Sequence, residues 1–349
     1  MTLALFMAPH WQDEALRRSR GARLRTEPQL SDPGAQFRQH PGDDHMSAQA
    51  SASHTPASNL LSLTAGAAII AILASFTLAS RLAYASALAP QDLMAIRFVT
   101  SGLLLLPVAL SRGASGLLTL DSAKLALTGG LGFATLAFAG LMLVPASHAG
   151  ALLHGALPLF TFTLGLVLGR TTADRGRVAG AFLVVIALSI IAWDNMRGTG
   201  WQQLLGCALL LTASATWSAF GILAARLKPD PISTAATVSV LSAAVYLPLY
   251  VAFLESSLDE APLSPVLIQV AVQGVLVGTI SVFAYSWAIS KIGALGAAVA
   301  TAMVPSVTAL TAMPLLSEFP SPTVATGLAI LVAGSLLVLP VRFQERRNG

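Results

Sequence analysis

The sequence has few of the charged groups that keep a soluble protein hydrated. Only 10% of its 349 residues are charged, whereas soluble domains carry about 25%. It has a single cysteine, Cys207, which excludes an intramolecular disulfide and argues against a thiolate metal site. The mean hydropathy is high, at +0.73. Composition therefore indicates an integral membrane protein and overrides the two soluble domains that the length alone would allow.

Recognisable catalytic patterns are also missing. The chain contains no His-Glu-x-x-His, no Gly-x-Ser-x-Gly and no Gly-x-x-x-x-Gly-Lys-Ser/Thr. We therefore predict that it is not an enzyme and has no catalytic residue, no cofactor and no metal site. Apart from helix ends, no aspartate or glutamate lies within an apolar segment, so a carboxylate proton relay is not expected. Coupling could run through His148 or His154, through exchange of substrates, or be absent.

Long apolar segments are what the sequence does contain. A helix needs about 20 apolar residues to cross roughly 30 Å of hydrocarbon. Ten windows reach or nearly reach that length: 62–83, 91–111, 124–144, 148–169, 177–194, 202–225, 233–254, 266–289, 294–316 and 322–341. Very short connections, such as Pro145-Ala146-Ser147, force neighbouring helices to be antiparallel. The sequence thus predicts an all-α membrane protein with ten transmembrane helices.

The chain ends are polar. Residues 1–60 are rich in Arg, Ser, Gln and Pro and lack an apolar period, which predicts a disordered tail. Met46 stands before a short Ser/Ala-rich stretch that runs into the first apolar window, and we predict that translation begins there. Residues 343–349 are predicted to form a short cytoplasmic tail.

The positions of the basic residues indicate how the chain is oriented in the membrane. The net charge of +4 and the pI of 9.6 would suit nucleic acid, but the basic residues lie at window ends and in the tails. With the N-terminus in the cytoplasm, the cytoplasmic connections and the C-terminal tail hold eleven basic residues, whereas only Arg81 and Arg197 fall on the other side. This bias predicts a multi-pass protein of a bacterial cytoplasmic membrane with both termini inside, and no nucleic-acid partner.

The two halves of the sequence resemble each other. A displacement of 147 positions superimposes the following pairs: His154 and Thr301, Pro158 and Pro305, Thr161 and Thr308. Each half, 61–195 and 201–342, holds five windows, and this odd number makes the second copy enter the membrane from the opposite face. The pattern predicts two inverted five-helix repeats, with a substrate site between them near the membrane midplane.

Several stretches, through their order and spacing, carry a family resemblance. They are Leu93-Met94-Ala95-Ile96-Arg97-Phe98, Pro145-Ala146-Ser147-His148-Ala149, Ala215-Thr216-Trp217-Ser218-Ala219 and Pro305-Ser306-Val307-Thr308-Ala309. From about residue 61 to 343 the chain resembles the drug/metabolite transporter superfamily, in particular its EamA-type members. The resemblance implies ten helices in two five-helix repeats.

Polar and aromatic residues inside the windows are candidates for a transport path. They are Arg97, His154, Pro158, Thr161, Trp217, Tyr285, Trp287, Thr301, Pro305 and Thr308. Arg97 could bind an anionic group such as a substrate carboxylate, or it could snorkel towards the membrane surface or cap neighbouring carbonyls. The matched prolines free backbone carbonyls, and they either form kinked polar faces along the path or are structural kinks only. The aromatic residues could stack on substrate or simply pack.

These features together predict a secondary transporter that works by alternating access. Its substrates would be amino acids, related metabolites or toxic compounds, export is the predicted direction, and the lipid bilayer is the other partner. A channel, or an intramembrane sensor or enzyme without recognisable catalytic groups, is the alternative. A channel would more often contain charged rings or a filter loop. A homodimer is left open.

Overall fold

The protein is described by a computed structural model that covers residues 56–85, 88–111, 113, 117–196 and 200–339. Within these ranges the chain is helical and has no strand. The predicted disordered tail up to residue 55, the predicted start at Met46 and the C-terminal tail 343–349 lie outside the described residues. The first helix begins at Pro56, a few residues before the predicted end of the N-terminal tail.

The described residues form nine long helical segments, which are numbered here in chain order. They are α1 Pro56–Ala85, α2 Pro90–Ser111, α3 Leu120–Leu143, α4 Ala146–Val167, α5 Arg175–Met196, α6 Trp201–Leu227, α7 Pro231–Phe253, α8 Leu263–Leu316 and α9 Pro322–Val338. Eight of them, α1 to α8, are long and apolar enough to cross a membrane, and α9 is a shorter apolar helix. The prediction of an all-α membrane protein is confirmed.

Helix α8 is interrupted within its length. It contains 54 residues, which would extend about 80 Å at 1.5 Å per residue, far beyond a hydrocarbon core of about 30 Å. Gly293 breaks it with φ 74° and ψ 170°, a conformation that is essentially restricted to glycine. We call residues 263–292 the first arm of α8 and residues 294–316 its second arm.

The helix ends follow from local sequence signals. Asp230 caps α7 by accepting a hydrogen bond from the backbone N–H of Ser233 (3.2 Å), and Ser321 caps α9 through Val324 (3.1 Å). Each of these two helices has proline at its first position, where the missing N–H is not needed. Wide π-type turns interrupt three helices, at 127–131 in α3, 151–155 in α4 and 270–281 in α8. Such turns are frequently found at functional sites.

Small residues allow the helices to approach closely. A Cβ atom at Gly180 of α5 would lie 2.6 Å from the carbonyl oxygen of Gly334 in α9. A Cβ atom at Gly155 of α4 would lie 2.3 Å from Leu331 Cδ2 of α9. These distances are shorter than van der Waals contact, so the packing of α4 and α5 against α9 depends on glycine at both positions.

Large apolar side chains cover the outside of the bundle. Leu103, Phe182 and Val251 have exposed fractions of 65%, 64% and 82%. An apolar exterior of this kind would be a liability in water, whereas lipid solvates it. The exterior therefore agrees with a membrane-embedded protein.

Candidate functional site

A narrow cavity lies inside the helix bundle, and nearly all of the about 360 Å³ between its lining atoms is too narrow to admit a water molecule. Its wall combines side chains from α1, α2, α3, α4, α6 and α8. The polar and aromatic members of this wall are Phe76, Arg97, Phe133, His154, Trp217, Ser281 and Thr301. We call this space the central cavity. Arg97, His154, Trp217 and Thr301 had been predicted from the sequence as site residues, and the structure brings them together.

Arg97 places a positive charge in the wall of this cavity. The residue is 2% exposed, and its Nη1 atom is buried without an acceptor among the described residues. The guanidinium carbon lies 5.6 Å from the centre of the Phe76 ring and 5.9 Å from the centre of the Phe133 ring. Ring faces attract a cation at such distances. Arg97 therefore neither snorkels to the surface nor pairs with a carboxylate in the part of the chain that the structure describes.

His154 lies in the π-type turn of α4, close to the Phe76 ring. It is 4% exposed, and its Nδ1 atom has no hydrogen-bond partner within the described ranges. The imidazole stands nearly perpendicular to the ring of Phe76, with the two ring centres 6.5 Å apart. Pro158 follows four residues later, is buried, and has no N–H to donate to the carbonyl of residue 154. The proline that the sequence analysis singled out thus lies directly beyond the widened turn that holds His154.

Aromatic rings form one wall of the cavity. The Trp217 ring centre lies 4.6 Å from that of Phe133, 5.1 Å from that of Phe220 and 5.3 Å from that of Tyr285. Tyr285 is 2% exposed and packs against Trp217 without lining the cavity itself. Trp287, in contrast, is 45% exposed. Two residues along a helix turn the side chain by about 200°, so Trp287 is on the outer surface and is not brought to the cavity.

The predicted residues of the second half divide between two locations. Thr301 lines the central cavity. Pro305 and Thr308 are buried where the second arm of α8 packs on α4. A Cβ atom at Gly150 would be 3.2 Å from Thr308 Cβ, and one at Gly155 would be 3.2 Å from Pro305 Cγ. The second arm of α8 therefore packs on α4 close to His154, and the first members of the two matched sets, His154 and Thr301, both reach the cavity.

A larger space, the vestibule, lies at the end of the bundle where Gly293 breaks α8, which we call the Gly293 end. It has about 1560 Å³ between its lining atoms, which include Thr161, Arg170, Arg177, Gly293 and Met303. Thr161 is two helical turns beyond His154 on α4, and Ala300, another vestibule residue, adjoins Thr301. Thr161 therefore lines the vestibule and not the central cavity. Helices α4 and α8 contribute residues to both spaces.

At the opposite end of the bundle, side chains from both halves of the chain are joined. Glu318 accepts a hydrogen bond from Arg81 Nη2 (2.9 Å) and another from the backbone N–H of Ala146 (2.7 Å). Nearby, His148 Nε2 lies 3.3 Å from a carboxylate oxygen of Asp194. We call this the Glu318 end. A single carboxylate of the α8–α9 connection thus holds α1 and α4.

Asp92 strengthens the same end and was not among the predicted site residues. It is fully buried in the first turn of α2, where it accepts hydrogen bonds from the Tyr250 hydroxyl (2.5 Å), from the Ser257 hydroxyl and from the backbone N–H of Ala89 (3.2 Å). These hydrogen-bond donors satisfy the buried carboxylate of Asp92. Asp92 is at a helix end, the position that the sequence analysis had set apart from the middle of the apolar segments.

Phe76, Phe133 and Ser281 complete the cavity and were also missed. Each is an ordinary residue in an apolar window, and no spacing marks it in the sequence. Their depth relative to Arg97 could have been estimated from the window boundaries, but which helix faces meet depends on the packing.

Comparison with known proteins shows similarity to one transporter family over part of the chain. Residues 204–339, from α6 to the end of α9, match the EamA-like transporter family. The chain is also similar to a solved protein crystal structure at 22% identity and a TM-score of 0.58, over 78% of this chain and 94% of the other. This likeness concerns the fold alone. No curated protein matches the chain. The second half of the chain is therefore similar to the EamA-like transporter family, in agreement with the resemblance seen in the sequence.

Proposed function

We propose that this protein is a secondary transporter that carries small metabolites, such as amino acids and related or toxic compounds, across a bacterial cytoplasmic membrane. It works by alternating access and exports its substrate. The central cavity supports this proposal most directly. It holds a buried Arg97 that has no counter-charge within the described ranges, and it lies next to a vestibule at one end of the bundle. Ion pairs and hydrogen bonds join the helices at the other end.

The helix contacts support two inverted five-helix repeats. If the two arms of α8 cross the membrane separately and α9 crosses after them, the chain has ten crossings. Helices at equivalent places in the two halves then pack together: α2 with α7, α4 with the second arm of α8, and α5 with α9. Likewise α3 packs on α6, and α1 on the first arm of α8. This exchange symmetry is the one that a pseudo-twofold axis in the membrane plane generates.

The charges support an orientation with the Gly293 end in the cytoplasm. Near the ends of helices on that side are Lys124, Arg170, Arg175, Arg177, Arg226, Lys228 and Lys291. The Glu318 end has Arg81 among Asp92, Asp194, Glu255, Asp259, Glu260 and Glu318. By the positive-inside rule both termini lie in the cytoplasm. The vestibule is then open to the cytoplasm, and from there an exporter loads its substrate.

A channel is the competing function, and flux measurements separate the two. We would reconstitute the purified full chain into liposomes and follow radiolabelled phenylalanine, threonine and benzoate. A carrier gives saturable uptake that is accelerated by unlabelled substrate on the opposite side. A non-saturating current without counterflow for any probe would refute the transporter. A homodimer is not needed for this function, because a single chain encloses the cavity.

Two substitutions test whether the central cavity is the binding site. Arg97→Ala and His154→Ala should each lower counterflow by about tenfold or more, since each removes a polar group facing the cavity. Trp287→Ala, on the outer surface, is the control and should transport normally. Normal transport by both cavity variants would remove them from the substrate path.

A further inference from the structure

Arg97 is a charged residue that has no counter-ion among the described residues. Burying a guanidinium group is costly unless it is paired, and this group remains protonated in proteins. The two phenylalanine rings at 5.6 and 5.9 Å offset part of that cost. The Nη1 atom nevertheless has no acceptor within the described residues. The cavity is therefore incomplete in charge and in hydrogen bonding.

The other polar groups of the cavity do not neutralise Arg97. In the part of the chain that the structure describes, no aspartate or glutamate lines the cavity. The buried Asp92 is on the same helix but is engaged by Tyr250 and Ser257 at the Glu318 end. The Ser281 hydroxyl donates to the Val277 carbonyl oxygen (2.6 Å), and the Thr301 hydroxyl to that of Ala298 (2.7 Å). The side-chain groups left to engage a ligand include Arg97 and the imidazole of His154.

The other side chains of the cavity wall favour a ligand that has a bulky apolar group. Leu73, Phe76, Leu153, Leu157 and Trp217 line the cavity around the charged group. A small hydrated anion would lose its water without gaining contacts there, whereas an apolar ring or chain gains them. Arg97 is only 2% exposed and lies inside the bundle, so a phosphate of the surrounding bilayer does not reach it.

From this arrangement we infer that the transported substrate is an organic monoanion, a carboxylate on an apolar or aromatic body. The carboxylate pairs with the guanidinium group of Arg97, the imidazole of His154 contributes a further hydrogen bond, and the apolar body lies against Phe133 and Trp217. Organic cations are excluded, because their charge would meet that of Arg97 with no carboxylate to compensate. This inference rests on the proposed transport function and specifies its substrate class.

A charge series of one molecular shape tests the inference. Benzoate, benzamide and benzylamine share an aromatic ring and differ in charge, and chloride is an anion without the apolar body. Binding to the purified full chain in detergent is measured by titration calorimetry. Benzoate should bind best, benzamide at least about 30-fold more weakly, as expected for loss of a buried charge pair, and benzylamine and chloride more weakly still. Equal or stronger binding of any of the other three, or no binding of benzoate, would overturn the inference.

Variants identify the group responsible. Arg97→Gln should remove the preference for benzoate over benzamide. Arg97→Lys should still bind benzoate more tightly than benzamide, because it keeps the positive charge. Arg175→Gln is the matched control, because it removes a positive charge from the Gly293 end at an exposed position that does not line the central cavity. Size-exclusion elution and the thermal midpoint establish whether each variant folds. If Arg97→Gln does not fold, the four binding measurements on the unmodified chain still test the inference.

The two proposals fail in different ways. Selective benzoate binding without counterflow of any probe would refute the transporter and leave the anion site. Saturable counterflow of benzamide or benzylamine as fast as that of benzoate would refute the anion site and leave the transporter.

Discussion

Glu318 offers the sharpest test of the conformational change. In the proposed alternating-access cycle, opening the Glu318 end separates α1 and α4 from the connection between α8 and α9, and so breaks both hydrogen bonds of this carboxylate. Replacing Glu318 with alanine removes these bonds from the closed state only. We therefore expect Glu318→Ala to shift the protein towards a state that is open at this end.

The size of this shift follows from the contacts. A hydrogen bond to a charged group stabilises by about 1.5 to 3 kcal/mol when it is buried. The side chains of Arg81 and Glu318 are 26% and 21% exposed, and solvent screening lowers the contribution. For the two bonds together we expect a loss of about 2 kcal/mol, which raises the ratio of open to closed molecules by about 30-fold. Glu318→Gln retains an acceptor oxygen and should raise it by about fivefold, for a loss of about 1 kcal/mol.

Cysteine accessibility measures this ratio. The single native cysteine is replaced in the background Cys207→Ala, and Ser281→Cys introduces a reporter in the central cavity. A membrane-impermeant thiosulfonate applied from outside the cell should modify the reporter about 30-fold faster when Glu318→Ala is present. Glu260→Ala is the control, because Glu260 is an exposed acid at the same end. An unchanged modification rate with Glu318→Ala would refute the reasoning that this carboxylate closes the outer end.

Three further outcomes follow from the packing. Trp217→Ala should weaken benzoate binding by about tenfold, the value of one lost aromatic contact, whereas Trp287→Ala should leave calorimetric affinity unchanged. Gly155→Ala should lower the free energy of unfolding by about 1 to 3 kcal/mol, measured by thermal unfolding in detergent, because its Cβ would overlap a leucine of α9. Gly293→Ala should cost about 1 to 3 kcal/mol in the same assay, because alanine disfavours the φ of 74°. Gly176→Ala is the control for both glycine variants and should change stability little, because a Cβ atom there would approach only Asp174 Oδ1, at 3.3 Å, and the residue has no positive φ.

Several parts of the site could be predicted because they are local properties. Arg97 stands out as a charge inside an apolar window, and the 147-residue displacement marks His154 and Thr301 as equivalent positions. Both residues do reach the central cavity. Trp287 illustrates the limit: from its window alone it is as good a candidate as Tyr285, and only the orientation of α8 separates the outward side chain from the inward one.

The membrane-embedded helical class was determined by the sequence alone, because lipid accepts backbone polar groups only when long apolar segments satisfy them internally. The tertiary structure decided which apolar faces meet. It placed Phe76 and Phe133 beside Arg97, joined Glu318 to helices more than 170 positions earlier in the chain, and broke α8 at Gly293. These features depend on contacts between distant segments and on the close approach that glycine permits, and hydrophobicity along the chain does not encode them individually.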